Sequence, residues 1–516
     1  MQKRSGGGRP RAGRNGIVEN LPVMSQVKPA EADSRAGLAV QRQAARQHAG
    51  RAAALLRRHW LAAALLTAGL ALRVLAVLAY RPALFLDATR YLYNSGGNDP
   101  VGYEGPLKAI LLVGNFDLVA AVQHLLGLAM AVVIYALLLR RGVSRWLAAL
   151  AIAPVLLDAY QLQNEQTILP GTFFQALTVA GFAVLLWRPR TGWRATVVAG
   201  LLLGTSAIVA QVGESLILPA VIYLLAAGGG WRNVAVKAAA MCAAFAVPIL
   251  AYCTGSYVLT GDFFLSHTGA TSVYGRTAAA ADCATLRVPA DERPLCPARA
   301  QQAQGPDWLD YNQASPVQSY YASLPRAEVN RLVSDFNSRV VSQQPLQVLG
   351  HYGRDVLKLY AVVRTTFPGD TPIYRWQFQT SYPYHPPNAT APIVRKVTAQ
   401  FGGGPPTVWR PVAAFLRGYQ LDGGYTPGPL LLLFTVTGLA GSVAALARRQ
   451  RDPAARQLAL GCLLLFTAGA AVTLVADFFE FSWRYQLPAL VTLVPAGVLG
   501  LGVMLRILRR PAPADG

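Results

Sequence analysis

The chain has 516 residues, 53% of them hydrophobic and only 14% charged, with a mean hydropathy of +0.33. Globular chains carry about 25% charge on average, so this composition excludes an ordinary water-soluble protein and points to a chain whose main solvent is lipid. Forty-seven Lys and Arg against 25 Asp and Glu leave a formal charge of +22, and where those basic residues fall along the chain indicates topology.

Residues 1–58 hold twelve Lys or Arg against Glu19, Glu31 and Asp33 and almost no large apolar residue, which predicts a disordered basic tail. The first apolar run begins at Trp60 and is long enough to span a bilayer, so it reads as an uncleaved anchor, not a secretory signal. About 20 apolar residues cross the hydrocarbon core, and ten segments approach that length: 60–80, 118–139, 145–161, 168–187, 194–210, 214–229, 234–258, 427–447, 457–477 and 486–507. Basic residues gather at alternate ends of these segments, at Arg57 and Arg58, Arg140 to Arg145, Arg188 to Arg194, Arg232 to Lys237, Arg448 to Arg456, and Arg506 to Arg510. By the positive-inside rule those ends are cytoplasmic. Both termini then lie on the cytoplasmic side of a cytoplasmic (inner) membrane, while 81–117, 259–426, the turn 478–485 and the short turns after Tyr160 and near Gln211 lie outside.

Residues 259–426 contain Trp308, Tyr311, Tyr320, Trp376, Tyr382 and Trp409, too many aromatics for a linker, and are expected to fold as a cap. Within it Leu332, Phe336 and Val340, then Leu349, Val356 and Tyr360, recur at helical spacing and predict two helices over 325–366. The second of these suits a membrane surface. Residues 367–426, rich in Pro, Gly and Tyr, are expected to form irregular loops over a cleft. Cys242, Cys253 and Cys462 fall in expected spans; Cys283 and Cys296 are placed outside, where a disulfide between them is expected in an oxidising compartment. No paired His or further Cys stands near them to suggest zinc.

The fold class is therefore an all-α polytopic membrane protein of about ten transmembrane helices with a mixed extracytoplasmic cap. It divides into a tail (1–58), a bundle (59–258) containing the first outer loop (81–117), the cap (259–426), C-terminal spans (427–507) and a second tail (508–516). Asp87 stands where the chain leaves the first span, in PALFLDATRY (82–91), and there it reads equally as an N-cap for a helix starting at Ala88 or as a functional acid. Asp99, Glu104 and Lys108 share its loop, Glu165 and Glu214 follow on later outer turns, and Arg484 with Tyr485 precedes the last span. Two other polar residues fall inside spans: His124 reads as a packed or hydrogen-bonded core histidine, and Arg73 as a group that snorkels or pairs within the bundle.

Asp87 near the start of the first outer loop, the segment Gly102-Tyr103-Glu104-Gly105-Pro106, the turn from Leu157-Asp158-Ala159-Tyr160-Gln161 to Glu165-Gln166, and Trp483-Arg484-Tyr485-Gln486-Leu487-Pro488 together resemble the GT-C membrane glycosyltransferases. These are relatives of the protein O-mannosyltransferases and aminoarabinose transferases, which use polyprenyl-phosphate sugars. The segment Val273-Tyr274-Gly275-Arg276 through Asp282-Cys283 to Arg293-Pro294-Leu295-Cys296-Pro297 resembles an actinobacterial branch of that group. The likeness covers residues 60–507.

The resemblance implies an inverting transfer of a sugar from a polyprenyl-phosphate donor to a lipid, glycan or protein acceptor at the outer face. Asp87 would be the general base, with Glu165 in the catalytic set. Arg484, and secondly Arg276, would meet the lipid phosphate, and Tyr485, Glu104 and Lys108 would line the substrate site. The chain departs from the family at Gly171, where relatives often carry an acid, at Gln166, where they often carry His, and at Gln211, where they tend to have Arg. These departures weaken a metal-dependent version, though a divalent metal stays open, and they leave room for an altered donor or an inactive homologue. A polytopic transporter or lipid flippase and a non-catalytic envelope protein are the competing readings. No phosphate-binding loop or dinucleotide fingerprint occurs; the expected partners are the donor, the acceptor and membrane lipids, and not nucleic acid.

Overall fold

The computed structural model describes residues 54–93, 102–266, 269–447 and 452–508. Residues 1–53 of the tail expected over 1–58, Asp99, residues 448–451 and the C-terminal 509–516 lie outside the described residues; residues 54–58, expected to be disordered, are helical. Helix α1 (Trp60–Ala79) is followed by a two-residue strand β1 (Ala83–Leu84), then α2 (Ala88–Tyr93), α3 (Glu104–Val113) and α4 (Phe116–Arg140). Next come α5 (Arg145–Leu157), α6 (Ala159–Gln166), β2 (Thr167–Ile168), α7 (Gly171–Leu186), α8 (Trp193–Val209), α9 (Ile217–Ala227) and α10 (Trp231–Thr260). The cap comprises α11 (Gly269–Ala280), α12 (Arg299–Gln302), α13 (Pro306–Tyr311), α14 (Pro316–Ser323), α15 (Arg326–Gln343), α16 (Pro345–Lys358), α17 (Ala391–Phe401) and α18 (Arg410–Leu421). Three long helices, α19 (Gly428–Leu446), α20 (Pro453–Phe479) and α21 (Pro488–Leu508), end the described chain.

Among the described residues, α1, α4, α10, α19, α20 and α21 have the length and apolarity to cross a membrane, and the bent pair α5–α6 makes a seventh candidate. The other three expected spans fall on shorter apolar helices, α7, α8 and Gln211–Ala227. At 1.5 Å per residue, 16 or 17 residues reach roughly 25 Å, short of a hydrocarbon core about 30 Å thick. Among the described residues, six of the ten expected spans, or seven with the bent pair, have the length to cross. Leu70, Val74 and Leu78 on α1 and Val236, Val247 and Val258 on α10 are exposed apolar residues, a surface suited to hydrocarbon.

Local chemistry sets the breaks. The Asn115 side chain accepts from Leu118 N at 3.2 Å and starts α4; Asp452 does the same for α20 through Ala454 N. In α5, Pro154 has no N–H to give to the last turns. Asp158 then leaves helical geometry, and its Oδ1 accepts from Tyr160 N at 3.0 Å to start α6, bent by 49° from α5. The same buried carboxylate takes a two-pronged contact from Arg364 of the cap at 3.2 and 2.8 Å and another from Thr426 N at 2.8 Å. One side chain therefore caps a helix, holds a kink and docks the cap.

The cap has its own apolar core, including Tyr274, Leu295, Leu309, Val333, Phe336 and Val340. Cys283 and Cys296, joined by a disulfide with Cα atoms 5.9 Å apart, pack against it. The two helices expected over 325–366 correspond to α15 and α16. Residues 367–426 differ from the expected loops, because α17 and α18 are helices. Each has Pro in its first turn, where the missing N–H costs nothing. Each then buries one face, Val394 and Val397 in α17 and Ala413, Leu416 and Gln420 in α18.

Candidate functional site

The parallel pairing of β1 with β2, Ala83 with Thr167 and Leu84 with Ile168, ties the first loop to the turn after α6. Gln123 reinforces that turn by donating to the carbonyls of Glu165 and Thr167, both at 2.8 Å. From the cap, Tyr382 donates its hydroxyl to Pro82 O at 2.9 Å and accepts from Leu84 N at 3.3 Å. Asp87, three residues past this clamp, is thereby held at the junction of bundle and cap. Its backbone carbonyl accepts from Arg90 N and Tyr91 N, while its carboxylate lies 3.6 Å from Arg90 Nη2 and 3.9 Å from Arg484 Nη1.

Arg484 occupies the turn between α20 and α21. Its guanidinium sits over the rings of Tyr485 (4.7 Å), Trp376 (4.9 Å) and Phe85 (5.6 Å), and Nη2 donates to Tyr485 Oη at 2.9 Å. Nη1 is buried without a hydrogen-bond acceptor. Burial opposes its charge, but Tyr485, Asp87, Tyr91 and Glu480 more than offset that and hold its pKa above the ordinary arginine value. Rings grip the plane, and one edge keeps no hydrogen-bond partner.

The residue borders a cleft between bundle and cap with about 1280 Å³ of empty space, open solvent included. Arg484, Tyr485 and Tyr91 line it, as do Gly171 and Gln211, two of the three positions that depart from the family pattern. Asn164 and Gln175 contribute from α6 and α7, Asp307 and Asp310 from α13, and Glu480 from the end of α20. The Gly305 backbone that leads into α13 has φ +87° and packs against Gly369, whose Cβ position would lie 3.2 Å from Gly305 Cα. Such a conformation favours glycine, and it aims α13 at the cleft. Burial raises the Glu480 carboxyl well above the usual carboxylate range, and the neighbouring Asp307 raises it further.

The other expected site residues lie elsewhere. Glu165 is fully buried outside the cleft, bound to Arg73 (2.9 Å), His124 (2.9 Å) and Gln161 (3.1 Å). Gln166, the third departure, meets His124 at 2.7 Å and donates to Tyr80 O at 3.1 Å. Arg276 is buried, paired with Asp355 at 2.5 Å, and donates to the Asp477 and Phe478 carbonyls at the end of α20. Glu104 and Lys108 bind each other one turn apart on α3 and do not line the cleft. Asp87 adjoins the cleft through Arg484. Among the described residues no group of three or more His, Cys, Asp or Glu is placed to hold a metal ion.

Sequence reading did not single out Asn164, Gln175, Asp307, Asp310 or Glu480. Glu480 carried a faint signal, an acid four residues before Arg484 in a short turn between two spans. The Asp307–Asp310 pair flanks Trp308 in a region otherwise read only for its aromatics.

No protein-family model matches the sequence, and no curated protein matches it. Among solved structures, the chain is similar to the S. cerevisiae protein O-mannosyltransferase complex bound to its sugar donor, at 18% identity and a TM-score of 0.32, over 43% of this chain and 36% of that one. It is also similar to an archaeal oligosaccharyltransferase from Archaeoglobus fulgidus in complex with an inhibitory peptide and a dolichol-phosphate, at 13% identity and a TM-score of 0.39. That match covers 89% of this chain and 53% of the other. The chain thus spans about a third and about half of the lengths of these two chains.

Proposed function

We propose that this chain is a membrane glycosyltransferase that moves a sugar from a polyprenyl-phosphate donor to a hydroxyl of a lipid, glycan or protein acceptor, at the extracytoplasmic face of the cytoplasmic membrane. The observation that carries this reading is the Arg484–Asp87 pair at the cleft. A partly buried guanidinium keeps its buried Nη1 without a hydrogen-bond acceptor, and a carboxylate that is 32% exposed stands 3.9 Å away. The donor phosphate binds Arg484 through the unpartnered Nη1, with its lipid tail running along the apolar side of the bundle, and the sugar occupies the cleft. Tyr485 accepts from Nη2 and is a positioning residue for the guanidinium.

In the reaction, Asp87 removes the proton of the acceptor hydroxyl as that oxygen forms a bond to the anomeric carbon. The bond from that carbon to the phosphate oxygen breaks, and its electron pair leaves with the lipid phosphate. Arg484 stabilises the resulting charge by charge-assisted hydrogen bonds. Attack opposite the leaving group inverts the anomeric centre. The test is transfer from a panel of radiolabelled polyprenyl-phosphate sugars to endogenous acceptors in membranes holding equal amounts of wild type and Asp87→Asn. Wild-type transfer that falls by roughly 10²- to 10⁴-fold in the variant is expected of a lost general base. Full transfer by the variant would remove Asp87 from that role, and no transfer from any donor by the wild type would overturn the enzyme reading.

A further inference from the structure

The end of the bundle remote from the cleft carries positive charge that few carboxylates answer. Helix α7 starts at the cleft with Gly171 and runs away from it for 16 residues, roughly 24 Å, so the turn from α7 to α8 lies toward the other membrane surface. Two arginines at the end of α4 hold that turn through its backbone carbonyls. Arg140 Nε donates to Trp187 O at 3.1 Å, and Arg141 donates to Leu186 O at 2.8 Å and to Arg188 O at 3.3 Å. On the far side of the turn, Thr191 Oγ1 donates to Leu185 O at 3.2 Å and meets Tyr223 Oη of α9 at 3.0 Å. Residues 187–190 between these anchors are exposed, as are Trp193 and Arg194. A pinned backbone therefore presents Arg188, Arg190 and Arg194 at the surface.

Stretches 118–157 and 166–213 contain no Asp or Glu. The acid that reaches this end, Asp452 at the start of α20, pairs with Arg506 at 3.7 Å, and among the described residues none of Arg188, Arg190 and Arg194 is ion-paired. Carbonyl partners satisfy N–H groups but cancel no net charge, so the counter-charge comes from outside the chain. The surroundings identify its source. Arg140 sits over the Trp187 ring at 4.8 Å and Arg194 over the Trp193 ring at 5.5 Å. These indoles, 40% and 63% exposed, suit the headgroup level of a bilayer. Val198 and Leu201 follow Arg194 by one and two turns on the same face of α8 and are exposed too, an apolar track from the charge into hydrocarbon. A soluble anion would use the arginines and leave the indoles and this track bare. We infer that residues 187–194, with the end of α4, bind an anionic phospholipid, its headgroup phosphate on Arg188, Arg190 and Arg194 and an acyl chain along Val198 and Leu201. Guanidiniums hold phosphate oxygens by charge-assisted hydrogen bonds, and basic pockets between spans suit such headgroups. The site is separate from the cleft and stands whether or not Arg484 holds a donor phosphate.

For the test, the full chain in detergent is titrated with phosphatidylglycerol or phosphatidylcholine, with and without water-soluble glycerol phosphate, and bound lipid is counted by native mass spectrometry. Phosphatidylglycerol is expected to bind about tenfold or more tightly than phosphatidylcholine, since each basic residue beside an anionic headgroup contributes about fivefold in affinity. Glycerol phosphate at equal concentration should not compete. The ratio of the two lipids should collapse in the triple variant Arg188→Gln, Arg190→Gln, Arg194→Gln, and the corresponding triple Arg→Lys variant should keep part of it. A matched variant of the cap, Arg326→Gln, Arg395→Gln, Lys396→Gln, removes the same charge and should keep the whole ratio. Thermal melting confirms that each variant is folded. Equal wild-type affinities for the two lipids overturn the site, as does a ratio unchanged in the triple Gln variant. An equal loss in the cap variant overturns it in favour of a diffuse effect of the +22 charge. Full competition by glycerol phosphate overturns it in favour of a site for a soluble ion.

Discussion

Arg484, partly buried, differs from three fully enclosed arginines in what its neighbours leave unpaired. Arg73, Arg276 and Arg364 each meet a carboxylate at 2.5 to 2.9 Å, close enough to be fixed parts of the scaffold. Arg484 has Asp87 at 3.9 Å and an Nη1 without an acceptor. Glu165 lies at the opposite extreme, enclosed by Arg73, His124 and Gln161. Replacing it as Glu165→Gln leaves Arg73 buried without its counter-charge, a loss of about 3–5 kcal/mol. The expected outcome is a large drop in melting temperature with turnover per folded molecule retained. Lost turnover with unchanged melting would return Glu165 to the catalytic set.

His385 supplies a pH dependence at the same scale. It is 8% exposed, its ring lies 4.7 Å from that of Phe85, and burial, helped by Arg375, pushes its pKa down to about 4. A histidine depressed in the folded state contributes stability above its unfolded pKa of about 6.5 and loses it as pH falls toward 4. The loss amounts to roughly 3 kcal/mol, at 1.36 kcal/mol per unit. Melting temperature measured from pH 7 to pH 4.5 is expected to fall less steeply in His385→Phe than in wild type, and parallel curves would dismiss the group.

At the scale of elements, close helix packing depends on glycine. A Cβ on Gly497 of α21 would lie 2.5 Å from Phe434 Cα of α19, whereas Gly255 of α10 has nothing within 4 Å. Gly497→Val is therefore expected to cost about 1–3 kcal/mol or more through overpacking. Gly255→Ala should be neutral or gain a few tenths up to about 1 kcal/mol. Thermal melts of the two variants in one detergent provide the comparison, and equal shifts would contradict the packing.

The apolar runs and the spacing of Leu332, Phe336 and Val340 were legible because burial imposes a period on the sequence. The prolines at the starts of α17 and α18 read as loop signals because a first-turn proline and a turn proline are the same residue until the neighbours are known. Arg484 and Asp87 could be singled out as charges at span ends. Asn164, Gln175, Asp307 and Glu480 could not, since they become a set only when α6, α7, α13 and the end of α20 meet.

At the scale of the whole molecule, the cleft exists because the cap is bolted to the bundle at separated points. Asp158 grips Arg364, whose guanidinium lies over Tyr160 (4.6 Å), Tyr425 (5.1 Å) and Trp483 (5.3 Å). Arg276 joins α11 to α16 through Asp355 and to the carbonyl end of α20. Between these two attachments the turn carrying Arg484 is held against the first loop carrying Asp87, the arrangement that the proposed transfer requires. The most direct measurement is a cryo-electron microscopy structure of the full chain in lipid nanodiscs with saturating polyprenyl phosphate. The account predicts phosphate density within hydrogen-bond distance of Arg484 Nη1, beside Asp87. Phosphate bound elsewhere, with the Arg484 edge of the cleft empty, would contradict it.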